Sequence, residues 1–369
     1  LLEFARIIKQ YLEMGIRLFR LDAIAFLWKE VGTSCINLPQ THEIVRLLRT
    51  MIEYAQPDAV VITETNIPVQ ENLSYFGESN EANWVYNFPL PPLLLNTLLT
   101  GSSDHLRRWL MSMPPAYDGT AYFNFIASHD GIGLRPVEGI LSDREIDNLT
   151  IAIQRFGGRI SWRNVANNQV RPYEFNISLF AALKGTLYGP DNHQLARFVC
   201  AHAIMFGIEG IPGIYIHSLL GTGNNIEEFN KTCENRTINR YRWQLQELEK
   251  QLADPKSHHH QLLSKMLELL QIRKKQPAFH PNATQFTLQL HSELLGFWRQ
   301  SPDKRQSIFC ISNISDTTQL LTLSSINLID NQPWHDLIAD QEINISKPFF
   351  TLDPYQTVWI TNGLPARSD

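Results

Sequence analysis

Cysteine is scarce in this chain of 369 residues, and its four cysteines lie far apart in the sequence. They are Cys35, Cys200, Cys233 and Cys310, and no two of them have the CxxC spacing of a zinc or redox site. A disulfide-framed fold is also disfavoured, because such folds place many cysteines in a short secreted chain. We therefore expect reduced, structural thiols and a cytoplasmic protein.

Long apolar runs and clusters of basic residues are missing as well. No run of about 18 apolar residues is available to span a bilayer, which disfavours a membrane role. Lysine and arginine number 32 against 37 aspartates and glutamates, the net charge is −5, and the basic residues are scattered. Because a nucleic-acid-binding surface needs clustered positive charge, nucleic acid is a poor candidate partner. No GxGxxG turn follows a predicted strand, so the main signal of a dinucleotide-binding protein is absent.

What is present is the composition of an ordinary globular protein, with 43% apolar and 19% charged residues. The length fits one large domain and one small domain. The first residues, LLEFARIIKQYLEMG, already have an amphipathic helical pattern that ends at a glycine. Because the chain starts with leucine inside this pattern, we expect that an upstream portion of the fold is missing.

Short apolar stretches alternate with helical patterns over the first 217 residues. The predicted strands are 16–22, 59–64, 83–88, 121–127 and 211–217, and the predicted helices include 42–56, 104–113, 143–156 and 194–208. This alternation predicts parallel strands with crossover helices, in a (β/α)8 barrel or a doubly wound sheet. Polar residues at strand ends favour an α/β fold of the (β/α)8 TIM barrel type, with strands 4–8 present.

The pattern changes after residue 280, where apolar and polar residues alternate in short runs separated by turns. We expect residues 1–280 to form the partial barrel and residues 281–369 to form a small antiparallel β domain. A helix that ends near Gln276 connects the two. The histidines before that helix, in SHHHQ at 257–261, resemble a metal-binding tract, but a solvated loop is the favoured interpretation.

The stretch GIRLFRLDAIAF at 15–26 places an arginine and an aspartate in an otherwise apolar strand. Alternate side chains of a strand share a face, so Arg20 and Asp22 are expected to lie together at the barrel mouth. The guanidinium would favour the charged form of the carboxylate, as a nucleophile requires. A structural ion pair is the alternative interpretation.

Two further acids are predicted at strand ends. Glu64 follows an apolar strand, where desolvation tends to raise the pKa of a carboxyl group and suits it to act as a general acid. Asp130 follows FNFIAS and lies beside His129 and two glycines that permit close approach of a ligand. Two carboxyl groups in unlike environments, about 5 Å apart, can cleave a glycosidic bond with retention. The alternatives are capping or surface roles, and metal binding, which no HxH motif or carboxylate-rich loop supports.

Three of these segments resemble the signature regions of a known family. GIRLFRLDA, ITETN and FIASHDGIG are similar, in order, to the second, third and fourth signature regions of the α-amylase superfamily, glycoside hydrolase family 13. HDGIG and GIPGIYIHSLLGTGNN resemble the sucrose phosphorylase group, and ITETNIPVQENLSYFG resembles its glucosylglycerate phosphorylase branch. The first signature region is absent, so the chain is identified as an N-terminally truncated member.

The resemblance implies a role for each of the residues at the predicted barrel mouth. Asp22 would be the nucleophile that forms a glucosyl-enzyme, and Glu64 would be the general acid and base. Asp130 would grip sugar hydroxyls as the ring flattens. Arg20 and His129 would line the same glucose subsite.

Two other arginines are candidates for substrate binding. Arg240, in TINRYRW, would help to hold the donor glucose by the same resemblance, with a structural role as the alternative. Phosphorolysis needs an anion where water attacks in a hydrolase, and Arg135 is the candidate to attract phosphate or a glycerate carboxylate. Its alternative is an ion pair with Glu138 or Asp143.

The sequence thus predicts a retaining α-glucosyl phosphorylase, a hexosyltransferase that works by double displacement. Its substrates would be a small α-glucoside and inorganic phosphate, and no cofactor or metal is expected. Both the β domain and the barrel helices offer surfaces for an oligomer. The alternatives are an α-glucosidase or amylase-type hydrolase and a truncated, inactive fragment.

Overall fold

The computed structural model describes residues 1–165, 169–326 and 333–363. In chain order, its strands are β1 (Leu18–Leu21), β2 (Val60–Thr63), β3 (Trp84–Tyr86), β4 (Ala121–Asn124), β5 (Ile132–Gly133), β6 (Arg159–Val165), β7 (Gln169–Asn176), β8 (Gly185–Thr186), β9 (Gly189–Pro190), β10 (Ile211–Pro212), β11 (Thr284–Thr287), β12 (Leu294–Gln300), β13 (Ser307–Asn313), β14 (Gln319–Thr322), β15 (His335–Asp336), β16 (Gln341–Glu342), β17 (Phe349–Leu352) and β18 (Thr357–Thr361).

The helices complete the secondary structure. They are α1 (Leu2–Glu13), α2 (Pro39–Ala55), α3 (Val69–Leu73), α4 (Leu90–Thr100), α5 (Asp104–Ser112), α6 (Asp143–Arg155), α7 (Leu179–Ala182), α8 (Gln194–Gly207), α9 (Ile216–Leu219), α10 (Ile226–Thr232), α11 (Leu245–Ala253) and α12 (His258–Lys274). Short 3-10 turns include Arg135–Val137 and Asn235–Asn239.

A parallel sheet of five strands positions the candidate site. Its strand order is β1-β2-β3-β4-β10, and every pairing in it is parallel. All five strands lie within the predicted strands, and helices α2, α5, α6 and α8 agree with the predicted helices to within three residues at each end. The α/β class is therefore confirmed. Closure into a barrel stays a prediction.

Two predicted strands are too long at their carboxyl ends. The prediction that Asp130 ends a strand is wrong, since β4 stops at Asn124 and Asp130 lies in the loop before β5. The register of β4 with β10 ends at the pair Asn124 and Pro212, and one further bond from the Gly213 N–H to the Asn124 carbonyl, at 2.7 Å, follows it. The predicted strand 211–217 is wrong beyond Pro212, because the chain leaves the sheet there and Ile216 already begins α9.

Helix α4 was not predicted, because its sequence LPPLLLNTLLT has no polar face. Ten of its eleven residues are buried, which is the burial pattern of a helix enclosed on all sides. Two consecutive prolines near its start are tolerated, because proline lacks an N–H and the N–H groups of the first helical turn have no partner within the helix.

Antiparallel strands follow residue 280, as predicted. A six-stranded sheet has the order β11-β12-β13-β18-β15-β16, and β14 pairs with β17. The boundary between residues 280 and 281 stays a prediction, although a 3-10 turn ends at Phe279 and β11 begins at Thr284. Residues 327–332 and 364–369 of the predicted domain lie outside the described residues.

The two parts share one apolar core. Helix α8 packs against β13 and β18, and Phe297, Cys310 and Trp359 from the β sheet belong to the same buried cluster as α8. The packing is close at Gly207, where an added Cβ would lie 2.9 Å from Phe297 and 3.1 Å from the Cys310 sulfur. The contact therefore requires glycine at the end of α8.

An antiparallel hairpin was missed by the sequence analysis. β6 and β7 pair with each other, and β7 also pairs with β5, directly after Asp130. The hairpin carries many polar residues and buries little besides Ile160 and the carboxyl-terminal part of β7, so the strand alternation is weak. Its importance is positional, because it brings Glu174 beside the Asp130 loop.

The histidine tract is not a solvated loop, so that interpretation was wrong. His258, His259 and His260 form the first turn of α12, and one ring nitrogen of each bonds a backbone carbonyl. A helix forms here because Ser257 caps its start through a bond from the His259 N–H. Within the described residues no cluster of histidine, cysteine and acidic side chains has the arrangement to hold a metal ion.

None of the helices in the described ranges has the length and apolar character that a bilayer-spanning helix requires.

Candidate active site

Arg20 and Asp22 are brought together at the end of β1. An Arg20 guanidinium nitrogen donates to Asp22 Oδ1 at 2.5 Å, as the shared strand face predicts. Arg20 also donates through Nε to the Tyr86 hydroxyl at 3.1 Å, and Tyr86 belongs to β3. The Asp22 side chain is 73% exposed, because β1 is the edge of the parallel sheet.

Glu64 follows β2 and is much less accessible than Asp22. Its side chain is 14% exposed, and its Oε2 accepts a hydrogen bond from the Ala23 N–H at 2.9 Å. Burial raises the pKa of Glu64, against the opposing effects of the Ala23 bond and the Arg20 charge at 3.9 Å. The direction predicted from its apolar strand end is thus confirmed. The two carboxyl groups occupy unlike environments, one exposed against a cation and one buried.

Two guanidinium groups lie close to one oxygen of Asp130. Its Oδ1 lies 2.7 Å from Nη1 of Arg236 and 3.4 Å from Nη2 of Arg240. His129 approaches the other oxygen, with Nε2 3.7 Å from Oδ2. Arg240 is anchored by a 2.7 Å bond from its Nε to the His129 carbonyl. The sequence-predicted residues His129, Asp130 and Arg240 therefore form one group.

A cavity of roughly 170 Å³ adjoins part of this group, and Arg20, Asp22, His129 and Arg240 are not among its lining residues. Glu64, Asp130 and Arg135 line it, together with Ala23, the neighbour of Asp22. Its wall also contains four aromatic residues, Phe26, Phe88, Phe125 and Tyr173. A small cleft that combines carboxyl and guanidinium groups with aromatic rings suits a polyhydroxylated ligand.

Arg135 lines this cavity without the ion pair that was its alternative explanation. Glu138 pairs with Arg163, and Asp143 pairs with Arg171 at 3.1 Å. The buried Nε of Arg135 has no hydrogen-bond partner among the described residues. An anionic ligand in the cavity would provide one.

Four residues of the site were missed by the sequence analysis. They are Asn66, Tyr86, Glu174 and Arg236. Asn66 Oδ1 is buried without a hydrogen-bond partner in the described structure, at the same cavity. Tyr86 and Glu174 have no sequence signal because their partners lie 66 and 62 residues away in the chain. Arg236 stands four residues before Arg240, a spacing that alone predicts nothing about catalysis.

Comparisons with known proteins identify curated relatives over nearly the whole chain. The chain is 37% identical over 370 residues to a glucosylglycerate phosphorylase of Spirochaeta thermophila, covering 98% of this chain and 62% of that protein. It is 36% identical over 362 residues to a glucosylglycerate phosphorylase of Escherichia coli, covering 98% of this chain and 63% of that protein. A sucrose phosphorylase of Agrobacterium vitis is 29% identical over 74% of this chain. The chain thus spans a little over three fifths of the length of the glucosylglycerate phosphorylases it matches.

Solved structures agree on the fold. A sucrose 6F-phosphate phosphorylase from Thermoanaerobacter thermosaccharolyticum matches with a TM-score of 0.69 at 23% identity, over 84% of this chain and 58% of that one. A trehalose-6-phosphate hydrolase of Bacillus licheniformis matches with a TM-score of 0.63 at 16% identity, over 97% of this chain and 67% of that one. No protein-family model matches the chain.

Proposed function

The chain belongs to the sucrose phosphorylase group of glycoside hydrolase family 13, and from this membership we propose that it carries the catalytic acids of a retaining α-glucosyl phosphorylase. The enzyme transfers glucose from a small α-glucoside to inorganic phosphate and yields α-glucose 1-phosphate. The reaction uses the protein's own side chains and needs no cofactor. The four cysteines are free, which supports a cytoplasmic enzyme.

The proposal includes a partial (β/α)8 barrel. Five parallel strands that are hydrogen-bonded in chain order, with helices between them, are typical of consecutive barrel strands. Strand β1 is an edge, and α1 beside it exposes apolar side chains that include Phe4, Ile7 and Tyr11. An unpaired parallel edge and an uncovered apolar helix face support neighbouring strands 1–3 on that side.

The observation that carries the proposal is the contrast between Asp22 and Glu64. In the first step, an Asp22 oxygen attacks the anomeric carbon while the bond to the leaving oxygen breaks and Glu64 gives that oxygen its proton. In the second step, Glu64 takes a proton from phosphate, and the phosphate oxygen displaces Asp22. Two inversions restore the α configuration. Burial raises the pKa of Glu64, and this favours the protonated form that the first step requires.

The remaining residues hold the two substrates. Asp130 accepts hydrogen bonds from glucose hydroxyls, while His129 and Arg240 line the same subsite. Arg20 orients Asp22 through the 2.5 Å bond. Arg135 attracts phosphate, or the carboxylate of a glycerate leaving group, which its unpartnered Nε supports.

Incubation of the full chain with an α-glucoside, with and without phosphate, tests the proposal. We expect glucose 1-phosphate to form with phosphate and little glucose to form without it. Equal release of glucose in both conditions would support a hydrolase instead. No product in either condition, together with the absence of a cooperative thermal transition, would support an inactive fragment.

A further inference from the structure

A buried carboxylate on the missed hairpin is linked to the sugar-binding acid through one arginine. Glu174 lies in β7 with a side chain that is 4% exposed. It accepts two hydrogen bonds from Arg236, from Nε at 3.1 Å and from Nη2 at 2.8 Å. The third nitrogen of the same guanidinium, Nη1, lies 2.7 Å from Asp130 Oδ1. Arg236 therefore bridges Glu174 and Asp130 with all of its nitrogens.

From this bridge we propose that Arg236, held in place by Glu174, is the positioning residue for Asp130. The proposal rests on the role given above to Asp130 in binding sugar hydroxyls. A bidentate pair fixes the plane of a guanidinium, so the direction of its remaining N–H bonds is fixed as well. Arg236 thereby sets the orientation of the Asp130 carboxylate.

The geometry assigns different work to the two oxygens of Asp130. Oδ1 is occupied, since Arg236 and Arg240 both approach it. Oδ2 lies 3.7 Å from the Nε2 atom of His129, which is beyond hydrogen-bond distance, and no other ion-pair contact to Oδ2 is present among the described residues. The oxygen left to accept a hydroxyl from a ligand is thus Oδ2. Rotation of the carboxylate would exchange the two oxygens, and Arg236 prevents it.

Hydrogen bonds and close packing around this bridge restrict its movement. Asn176 donates to Glu174 Oε1 at 2.6 Å, and Ser161 on β6 donates to Asn176 Oδ1 at 2.7 Å. At Gly131, next to Asp130, an added Cβ would overlap the Glu174 side chain and lie 2.8 Å from Asn176 Nδ2. Glycine at this position lets the hairpin approach the loop closely enough for one arginine to reach both acids.

The alternative is that Arg236 only fastens the hairpin to the loop. A fastening role needs a positive charge next to Glu174, which lysine also supplies, whereas a positioning role needs the forked guanidinium. Arg236→Lys therefore distinguishes the two roles, and Arg236→Met removes both the charge and the guanidinium. Arg171→Met is the matched control, because Arg171 lies on the same hairpin and pairs with Asp143 at 3.1 Å on the surface.

The experiment measures kcat and KM for the glucoside and the melting temperature of the full chain. We expect Arg236→Met and Arg236→Lys each to lower kcat by about 10²-fold, the order expected from a misplaced substrate-binding group, with a smaller change in KM. In an Asp130→Asn background, Arg236→Met should cause little further loss, because the group it positions is already altered. Arg171→Met should keep the wild-type kcat.

A wild-type kcat in Arg236→Lys would overturn the proposal. A double variant of Arg236→Met and Asp130→Asn whose loss of kcat equals the product of the two single losses would also overturn it. If the wild type hydrolyses the glucoside without phosphate, the phosphorylase function fails, and the same variants are compared by hydrolysis rate. If the wild type turns over no glucoside, glucose binding measured by calorimetry decides. At least tenfold weaker binding in Arg236→Met than in Arg171→Met supports positioning, and equal binding overturns it.

Discussion

Glu64 accepts a hydrogen bond at 2.9 Å from the backbone N–H of Ala23, the residue that follows Asp22. The bond ties the end of β1 to the end of β2, so the buried acid and the exposed acid are held by one short segment of backbone. Ala23 has a φ of 48°, in the left-handed region that a residue with a side chain seldom adopts. The strain at Ala23 coincides with the candidate catalytic centre.

Glu64→Gln should slow glucosyl transfer from poor leaving groups far more than from activated ones. Glutamine keeps the size of the side chain but has no proton to give to the leaving oxygen. General acids contribute about 10²- to 10⁴-fold, and we expect a loss in that range for a glucoside with an alkyl leaving group. Glucosyl fluoride, whose leaving group needs little protonation, is the comparison donor. Equal losses with both donors would contradict the role of Glu64 as the acid.

The same variant should accumulate the covalent intermediate that the double displacement requires. With glucosyl fluoride as donor, Asp22 can still attack, but Glu64→Gln lacks the base for the second step. Mass spectrometry of the intact protein and of its peptides should show one added glucosyl group on Asp22. Asp58→Asn, at an exposed acid, serves as the control variant. A glucosyl group found on another residue would contradict the assignment of the nucleophile.

Thermal stability should depend on pH through Glu64. Because burial raises the pKa of Glu64 in the folded protein, the carboxyl group supports stability fully at low pH. That contribution is lost as the pH rises through the raised pKa, because the charged form is held less well in the folded state than in the unfolded state. The melting temperature of Glu64→Gln should therefore rise relative to that of the wild type as the pH increases from 4 to 8. Glu13→Gln, at an exposed helix position, is the control. A difference in melting temperature between Glu64→Gln and the wild type that stays constant across this pH range would contradict the prediction.

The sequence predicted the parts of the fold whose signal is local. The strand before Glu64 and helices such as α8 have strong apolar patterns, and their predicted bounds are close to the observed ones. Helix α4 is apolar on every side, so periodicity could not distinguish it from a buried strand. The hairpin β6 to β7 has little burial along most of its length, and its pairing depends on β5 and on the Asp130 loop.

The candidate site was predictable where short motifs carry it and unpredictable where distant residues complete it. Arg20 with Asp22, and His129 with Asp130, are close in sequence and form contacts in the structure. Glu174 is linked to Asp130 through Arg236, which lies 62 residues after Glu174 in the chain. Neither residue has a local pattern that signals this role, because the bridge exists only once the hairpin has folded onto the loop.

Arg135→Met should raise the KM for phosphate. A hydrogen bond to a charged group contributes about 1.5–3 kcal/mol, so the increase is expected to be about 10- to 100-fold. Arg171→Met removes a guanidinium that is paired at the surface and should leave this KM unchanged. A wild-type KM for phosphate in Arg135→Met would contradict the phosphate role. An increased KM only for donors with an anionic leaving group would assign Arg135 to that group instead.

Arg299→Met should destabilise the junction between the parallel sheet and the β sheet. Arg299 on β12 is fully buried, and its guanidinium donates to the carbonyls of Gly207 at 2.7 Å, His280 at 2.9 Å and Ala283 at 3.2 Å. Methionine fills much of the same space but leaves these carbonyls without their donor. Each unsatisfied buried group costs about 1–3 kcal/mol, and two of the three bonds are buried, so we expect the free energy of unfolding to fall by at least about 2 kcal/mol.

Arg299→Met should also lower the cooperativity of unfolding. The Gly207 carbonyl ends α8, and α8 packs on the β sheet, so Arg299 couples the two parts of the shared core. With this coupling weakened, the β sheet should melt before the parallel sheet, giving two transitions in calorimetry where the wild type gives one. Arg305→Met is the matched control, because the Arg305 side chain is 88% exposed. A single transition at the wild-type temperature in Arg299→Met would show that apolar packing alone holds the two sheets together.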